Sequence, residues 1–387
     1  MYVLWRKLKR LQPILCGLNR RVTAGVQKIQ DSRIKLEQAQ HLLAGDLFNQ
    51  EYIKDVKHWS DEIIQTTELE EKILMQKSKI TWLKLGHGNN AYFHANIKGK
   101  NKQTGIYKLE DHNGRVLTDF KDIEKEVLRF YEDLVGTPSQ RLLHVDVAAI
   151  RNGTQLQEIH QSSLTQPMTD QEIWNALKNI GDTKAPGIDG FKASWNVIKS
   201  DVIAAIHEFF DYDRLYAVVN CALVTLIPKS SDAKTMKDMR PIACCTIMYK
   251  IISKILTTCL SKVINAVVDE SQSAFVPGKI IHDNIIIAHE LLRGYNRKHI
   301  SPRCAIQMDL QKAYDTVEWT ALETIMREMN FPGKFIKWVM ICVGTVSYKY
   351  AINGQQSEIL KAKRGLRQGI PYHPCCLFLL WSICTDV

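Results

Sequence analysis

Arg303-Cys-Ala-Ile-Gln-Met-Asp-Leu310 alternates as a strand does: Ile306, Met308 and Leu310 fall on one face, and Ala305, Gln307 and Asp309 on the other. A carboxylate at the end of a buried strand is costly unless something pairs with it, and a divalent cation is one such partner. Just beyond, Asp315-Thr-Val-Glu318 has the pattern of a helix start, with Ala321, Leu322, Ile325 and Met329 following at helical spacing. Asp315 is therefore most simply an N-cap. Asp309 has no such cheap explanation.

Downstream, a helix is expected at about 333–344. Tyr348-Lys-Tyr-Ala-Ile352, then Asn353-Gly354, then Gln355 to Leu360 reads as a hairpin with a two-residue turn. The chain continues through Arg364-Gly-Leu-Arg-Gln-Gly369, where glycines among positive charges allow close approach to phosphate. A helix is expected over Cys375–Ile383.

Upstream, Val224-Thr-Leu-Ile227 is a short apolar strand ending at Pro228, and helices are expected around 248–267 and 282–298. Lys184-Ala-Pro-Gly-Ile-Asp-Gly190 is a loop. Met168-Thr-Asp-Gln-Glu172 sets up a helix start capped by Thr169 or Asp170. Residues 136–166 are polar and irregular, the expected linker. Residues 120–135 form a short amphipathic helix, and Asn113-Gly114 signals a two-residue hairpin turn. Between 78 and 102, Trp82, Tyr92 and Phe93 interleave with Lys98, Lys100 and Lys102. Such a pattern holds nucleic acid by stacking and phosphate contact, or is a turn-rich element with solvated lysines. Residues 1–80 read as helical: Ile29, Leu36 and Leu43 keep heptad spacing, with Ala39 and Leu47 on the same face, and Gly45-Asp46 breaks the run.

A net charge of +10 permits a polyanionic partner such as nucleic acid. The ten cysteines include no C-x-x-C pair, so zinc spacing is missing and reduced thiols of an intracellular protein are expected. The basic first thirty residues lack the apolar core of a secretory signal. No run of about 18 apolar residues suggests a membrane span. Nucleus or cytoplasm is the expected location.

Gln307-Met-Asp-Leu-Gln-Lys-Ala-Tyr-Asp315 resembles the first palm motif of reverse transcriptases. Further blocks are similar, in order, to the same domain of plant non-LTR retrotransposons of the long interspersed type. They are Lys184–Phe191, Leu226-Ile-Pro-Lys229, Met239-Arg-Pro-Ile242, Tyr249–Leu256, Gln272–Gly278, Asp283–Ile286 and Arg364–Gly369. Trp82-Leu-Lys-Leu-Gly86 and Tyr92-Phe-His94 resemble the connector that precedes the polymerase in those elements. The implied fold is α+β: right-hand polymerase fingers and a partial palm, preceded by a mainly helical N-terminal region. The implied division is a helical hairpin region at 1–80, a connector with a β-hairpin and helix at 81–135, a linker at 136–166, and fingers with partial palm at 167–387.

The resemblance implies RNA-directed DNA polymerisation by two-metal nucleotidyl transfer, with an RNA template, a DNA primer and dNTP as partners and Mg²⁺ as cofactor. Asp309 would be the catalytic metal ligand. Lys229 and Arg240 would grip the triphosphate, Tyr314 would sit against the sugar, and Gln368 and Gly369 would contact template and incoming nucleotide. After Gln-Gly the family pattern is Asp-Pro-Leu-Ser-Pro, whereas this chain reads Ile370-Pro-Tyr-His-Pro374. That exchange is expected to remove polar groups beside the nucleotide pocket. No Asp-Asp pair occurs in the 387 residues, so the chain is expected to be truncated before the Ala-Asp-Asp motif and inactive as it stands. The other reading of the same residues is a non-catalytic nucleic-acid-binding remnant. A group II intron maturase-type polymerase ranks below both, since it lacks a match for the connector.

Overall fold

The computed structural model describes residues 1–23, 25–78, 95, 99, 105–138, 145–180, 199–268, 272, 276, 278–293, 295, 312–370 and 373–377. The strand expected at 303–310, the loop at 184–190 and the aromatic–Lys stretch at 82–102 lie outside the described residues, save isolated positions. The chain divides into two compact units, Arg6–Gly105 and Met1–Trp5 with Ile106–Val387.

The N-terminal region is helical, as expected: α1 (Tyr2–Thr23), α2 (Gly25–Gly45) and α3 (Gln50–Ser78). In the unit Arg6–Gly105, α2 and α3 lie antiparallel across the break at Gly45-Asp46. Lys28 pairs with Glu62 at 2.7 Å, and the Lys35 ammonium sits 4.4 Å over the Trp59 ring. Ile29, Ser32 and Ala39 are buried along the α2 seam. Leu47 lies past the helix end and is exposed, because the heptad stops with the helix.

The larger unit begins with a two-stranded ribbon, β1 (Leu109–Glu110) and β2 (Val116–Leu117), paired antiparallel. Its turn is not the two-residue turn expected at Asn113-Gly114. Asp111 N donates to Arg115 O at 2.9 Å, leaving a three-residue loop His112-Asn113-Gly114, with Gly114 at φ +80°. The cause is Asp111, whose Oδ1 accepts from Asn113 N and Arg115 N, each at 2.8 Å, and so reels in one more residue. Helix α4 (Phe120–Tyr131) follows, capped by Asp119, and ends in a π-helical turn at Glu132–Gly136.

The stretch expected as a linker holds two short helices, α5 (Val147–Asn152) and α6 (Glu158–Leu164). Ile150, Leu156 and Leu164 are buried there, and Leu156 N donates to Met329 O. Its sparse apolar residues are spaced to dock short helical turns, which polar composition alone conceals. Helix α7 (Asp170–Lys178) starts with a capping box between Thr169 and Glu172, and α8 (Lys199–Tyr212) follows the undescribed loop.

A five-stranded mixed sheet organises the rest: β3 (Cys221–Pro228), β4 (Met239–Cys244), β5 (Ser347–Ile352), β6 (Gln355–Gln356) and β7 (Leu360–Lys361). The apolar run of β3 takes the interior position, antiparallel to β4 and parallel to β5. Pro241, which has no N–H to give, pairs opposite Leu226 in β4, and β4 is an edge strand among the described strands. β5 and β6 turn through Asn353 (φ 49°) and Gly354 (φ 86°), the two-residue turn the sequence announced.

Helix α9 (Ile247–Val263) is buried on nearly all sides, through Ile251, Ile252, Ile255, Leu256 and Leu260 among others. Helices α6, α7 and α8 pack around it. Helix α10 (Ile281–Arg293) is exposed. Helices α11 (Trp319–Glu328) and α12 (Gly333–Gly344) pack together, and Asn220 Nδ2 ties α12 to the start of β3 through Cys342 O at 2.8 Å.

Candidate nucleotide cleft

An open cleft of about 450 Å³ is cut into the larger unit. Its walls are the end of α4 (Phe130, Tyr131, Leu134), the β3–β4 hairpin (Lys229, Met236, Lys237, Met239–Ala243), the turn that carries Lys312 and Asp315, and Gln368-Gly369.

Each wall is held by its own local chemistry. In the hairpin, Lys229 N donates to Asp238 O at 2.8 Å. The Asp238 carboxylate accepts from Thr235 N (3.0 Å), Thr235 Oγ (2.8 Å) and Lys234 N (3.2 Å), and these bonds, led by the Thr235 amide, lower its pKa. Asp238 is thus spent chiefly on closing the loop, with a lesser electrostatic pull from Lys229. Lys229 Nζ rests on Lys237 O at 2.6 Å. Arg240 follows on β4, opposite Ile227, with its side chain exposed.

The α4 wall is set by the sheet. Tyr131 stacks on Tyr350 of β5, ring centroids 4.5 Å apart. The π-helical turn then offers carbonyls to the chain beyond β7: Val135 O accepts from Lys363 N (2.7 Å), and Arg364 Nε donates to Leu134 O (2.7 Å).

The floor is a zipper between two segments far apart in sequence. Leu366 N donates to Tyr314 O (2.6 Å), Gly365 N to Val317 O (2.7 Å), and Trp319 Nε1 to Gly365 O (2.8 Å). Gly365 has φ +88°, and a Cβ there would stand 2.8 Å from Asp315 O. The close approach that this glycine permits is to protein backbone, not to the phosphate expected from sequence. Nor do the arginines of the segment face a ligand. Arg364 is taken up by carbonyls and by Glu318 at 3.6 Å. Arg367 is buried, donating to Asn220 O (2.7 Å), Asn220 Oδ1 (3.0 Å) and Cys245 Sγ (3.2 Å), with its guanidinium 4.7 Å from the Tyr249 ring centre.

Asp315 is not an N-cap. Helix α11 begins at Trp319, with Glu318 in the cap position and no side-chain cap bond. The turn at Lys312–Thr316 carries the Asp315 side chain to the cleft instead, where burial pushes its carboxyl pKa up against the opposing pull of Lys312. Lys312, at φ 53°, also lines the cleft, with its ammonium 4.4 Å over the Phe130 ring.

Four residues predicted from sequence, Lys229, Arg240, Gln368 and Gly369, therefore meet in one cleft. Tyr314 is half-buried beside it, tied through its backbone to Leu366, and burial raises its phenol pKa. Asp309 lies outside the described residues. Ile370 and His373 do not line the cleft: both are buried, and His373 Nδ1 meets Arg367 O at 2.5 Å. Both side chains pack in the interior next to the cleft-lining Gln368-Gly369. Sequence reasoning passed over Lys237, Lys312, Asp315 and the Phe130–Tyr131 wall. Lys312 and Asp315 stand inside the block around Asp309 and could have been found there, whereas nothing in the sequence links residues 130–131 to this cleft.

Among the described residues no group of three His, Cys, Asp or Glu side chains could hold a metal ion. The Mg²⁺ implied by the resemblance has no donor set in the described residues, and no step is derived through it.

Residues 227–383 match the family model described as reverse transcriptase (RNA-dependent DNA polymerase), which covers under half of the chain. The chain is similar to the transposon TX1 uncharacterized 149 kDa protein of Xenopus laevis, 27% identical over 287 residues, covering 72% of this chain and 22% of that protein. It is also similar to the Pol polyprotein from the type-2 retrotransposable element R2DM of Drosophila melanogaster, 25% identical over 225 residues, covering 56% and 21%. The chain spans about a fifth of the length of these curated relatives. Residues 227–383 are thus similar to a reverse transcriptase domain, and these relatives are transposon and retrotransposable-element proteins. No described helix is long and apolar enough to cross a membrane.

Proposed function

We propose that the cleft receives the incoming deoxynucleoside triphosphate of template-directed nucleotidyl transfer on an RNA template and DNA primer. One observation carries this reading. Lys229, Arg240, Gln368 and Gly369, chosen from three sequence blocks, the last more than a hundred residues beyond the others, line the same 450 Å³ cleft. Lys229 would meet the triphosphate as a point charge and Arg240 as a fork. Tyr314, beside the cleft, would face the sugar and reject a 2′-hydroxyl. Asp309 would supply the first metal-binding carboxylate. The ordered blocks around the cleft, with the Trp82–His94 connector, favour a parent element of the plant long interspersed type, with the division into regions given above.

These 387 residues contain no adjacent aspartate pair. One carboxylate cannot hold two metal ions in catalytic geometry, so this polypeptide alone is proposed to bind nucleotide and nucleic acid without polymerising. Primer extension on an RNA template with Mg²⁺ or Mn²⁺ tests that part. Background incorporation is expected, and synthesis that disappears in Asp309→Ala would contradict it. Nucleic-acid binding is tested by filter retention of the primer–template over a salt series. Affinity should fall as salt rises; a flat response would remove that reading.

A further inference from the structure

We propose that Lys312 is a triphosphate ligand of the cleft, a cation held ready beside the sugar-facing Tyr314 that engages the phosphates distal to the sugar. The inference rests on the nucleotide reading of the cleft and extends it to a residue of the Gln307–Asp315 block to which no role is assigned above.

The backbone comes first. Lys312 is a non-glycine residue at φ 53°, a left-handed conformation that a lysine adopts only when its surroundings impose it. Here they do. Its carbonyl accepts from Asp315 N (2.8 Å), Thr316 N (3.2 Å) and Thr316 Oγ (3.3 Å), which locks the turn and sends the lysine stem to the cleft wall. Glycine or asparagine would take this backbone at lower cost. A lysine here is the more expensive choice, and its side chain is what the cost supports.

The electrostatics follow. Among the described residues the cleft is lined by four cations, Lys229, Lys237, Arg240 and Lys312, and by one carboxylate, Asp315. The Lys312 ammonium rests on the face of Phe130. Burial lowers its pKa, Asp315 opposes that fall, and Lys237 and Lys229 deepen it. Like charges have thus been gathered on one cleft without neutralisation, an arrangement that repels itself until a polyanion enters. Asp315 offsets only part of that excess and lies on the same turn, so it tempers the field without cancelling it.

The segments also divide the work. Lys229 and Arg240 come from the β3–β4 hairpin, while Lys312 comes from the turn that also carries Tyr314. A ligand that engages both segments gains from carrying more than one phosphate. Lys312 should therefore favour a triphosphate over a monophosphate.

The test is equilibrium binding of dTTP and dTMP by the full 387-residue chain, wild type against Lys312→Gly, Lys312→Arg and Arg240→Ala, with thermal melting of each. Lys312→Gly removes the ammonium and relieves the strained backbone, so it should melt no lower than wild type. It should bind dTTP about tenfold more weakly, the loss of one charge-assisted hydrogen bond, and change dTMP binding much less. Lys312→Arg should restore dTTP binding. If Lys312→Gly binds dTTP as wild type does while Arg240→Ala is weak, the inference fails and the cleft reading stands. Should neither variant matter, or wild type bind no dTTP, both fail. A lowered melting temperature with equal losses for dTTP and dTMP would make Lys312 a structural peg on Phe130 and overturn the proposal.

Discussion

Arg367 and Arg240 carry the same guanidinium in the same unit, yet the fold treats them in opposite ways. Arg367 is 2% exposed, bonded to Asn220 and Cys245 and lodged near Tyr249 and Tyr348. Arg240 lines an open cleft with Lys229, Lys237 and Lys312 and is exposed. Burial and the hydrogen bonds of its two terminal nitrogens make the first a structural post beside Gln368-Gly369. Exposure and unneutralised charge leave the second available for a ligand. A basic residue in a motif is thus informative about function only after its acceptors have been counted.

Replacing the post should do the most damage. Arg367→Met keeps volume but strips Asn220 O and Oδ1 of their donors, and about 3–5 kcal/mol of unfolding free energy should be lost. Urea denaturation measures it; a loss below about 1 kcal/mol would mean the post is dispensable.

Gly365→Ala comes next. A Cβ at φ +88° would press to 2.8 Å from Asp315 O, so the zipper that holds the cleft floor must part. About 2–3 kcal/mol is expected, and unchanged stability would contradict the close approach.

His373 sharpens the contrast between buried and open groups through pH. Burial drives its pKa down to about 3, despite the favourable bond to Arg367 O. The folded state therefore refuses a proton that the unfolded state takes up from about pH 6.5 downward. The sign follows: its contribution to stability is present above about pH 6.5 and is lost as pH falls toward the folded value. Between pH 7 and pH 5 the wild type should lose about 2 kcal/mol more than His373→Asn. Parallel urea midpoints for the two proteins across that range would show that His373 already titrates normally.

Arg240→Ala should have the smallest effect on stability, within about 0.5 kcal/mol, as for other exposed positions. Its cost should appear in dTTP affinity instead, by about tenfold. Equal losses in melting and in binding would erase the distinction from Arg367.

Much of this architecture was legible from local pattern. The apolar run 224–227, the Thr169–Glu172 cap and the Asn353-Gly354 turn all formed where their residues dictate. Two other local signals were overridden. Asn113-Gly114 made a wider loop because the Asp111 side chain captured two amides, and Asp315 lost its capping role because α11 starts at Trp319. The first is a local competition, won by a side chain two residues before the turn, and the second follows from where α11 begins. In the cleft, Lys229, Arg240, Gln368 and Gly369 were recognisable by motif, while the Phe130–Tyr131 wall depends on Tyr131 stacking on Tyr350, more than two hundred residues away. Long-range pairings of that kind leave no periodic trace in the chain.

The most direct test is a crystal structure of the 387-residue chain with dTTP bound. The account predicts triphosphate oxygens within hydrogen-bond distance of Lys229 Nζ and the Arg240 guanidinium, with Gln368-Gly369 along the nucleotide. A nucleotide seated elsewhere, or triphosphate density that reaches neither Lys229 nor Arg240, would contradict it.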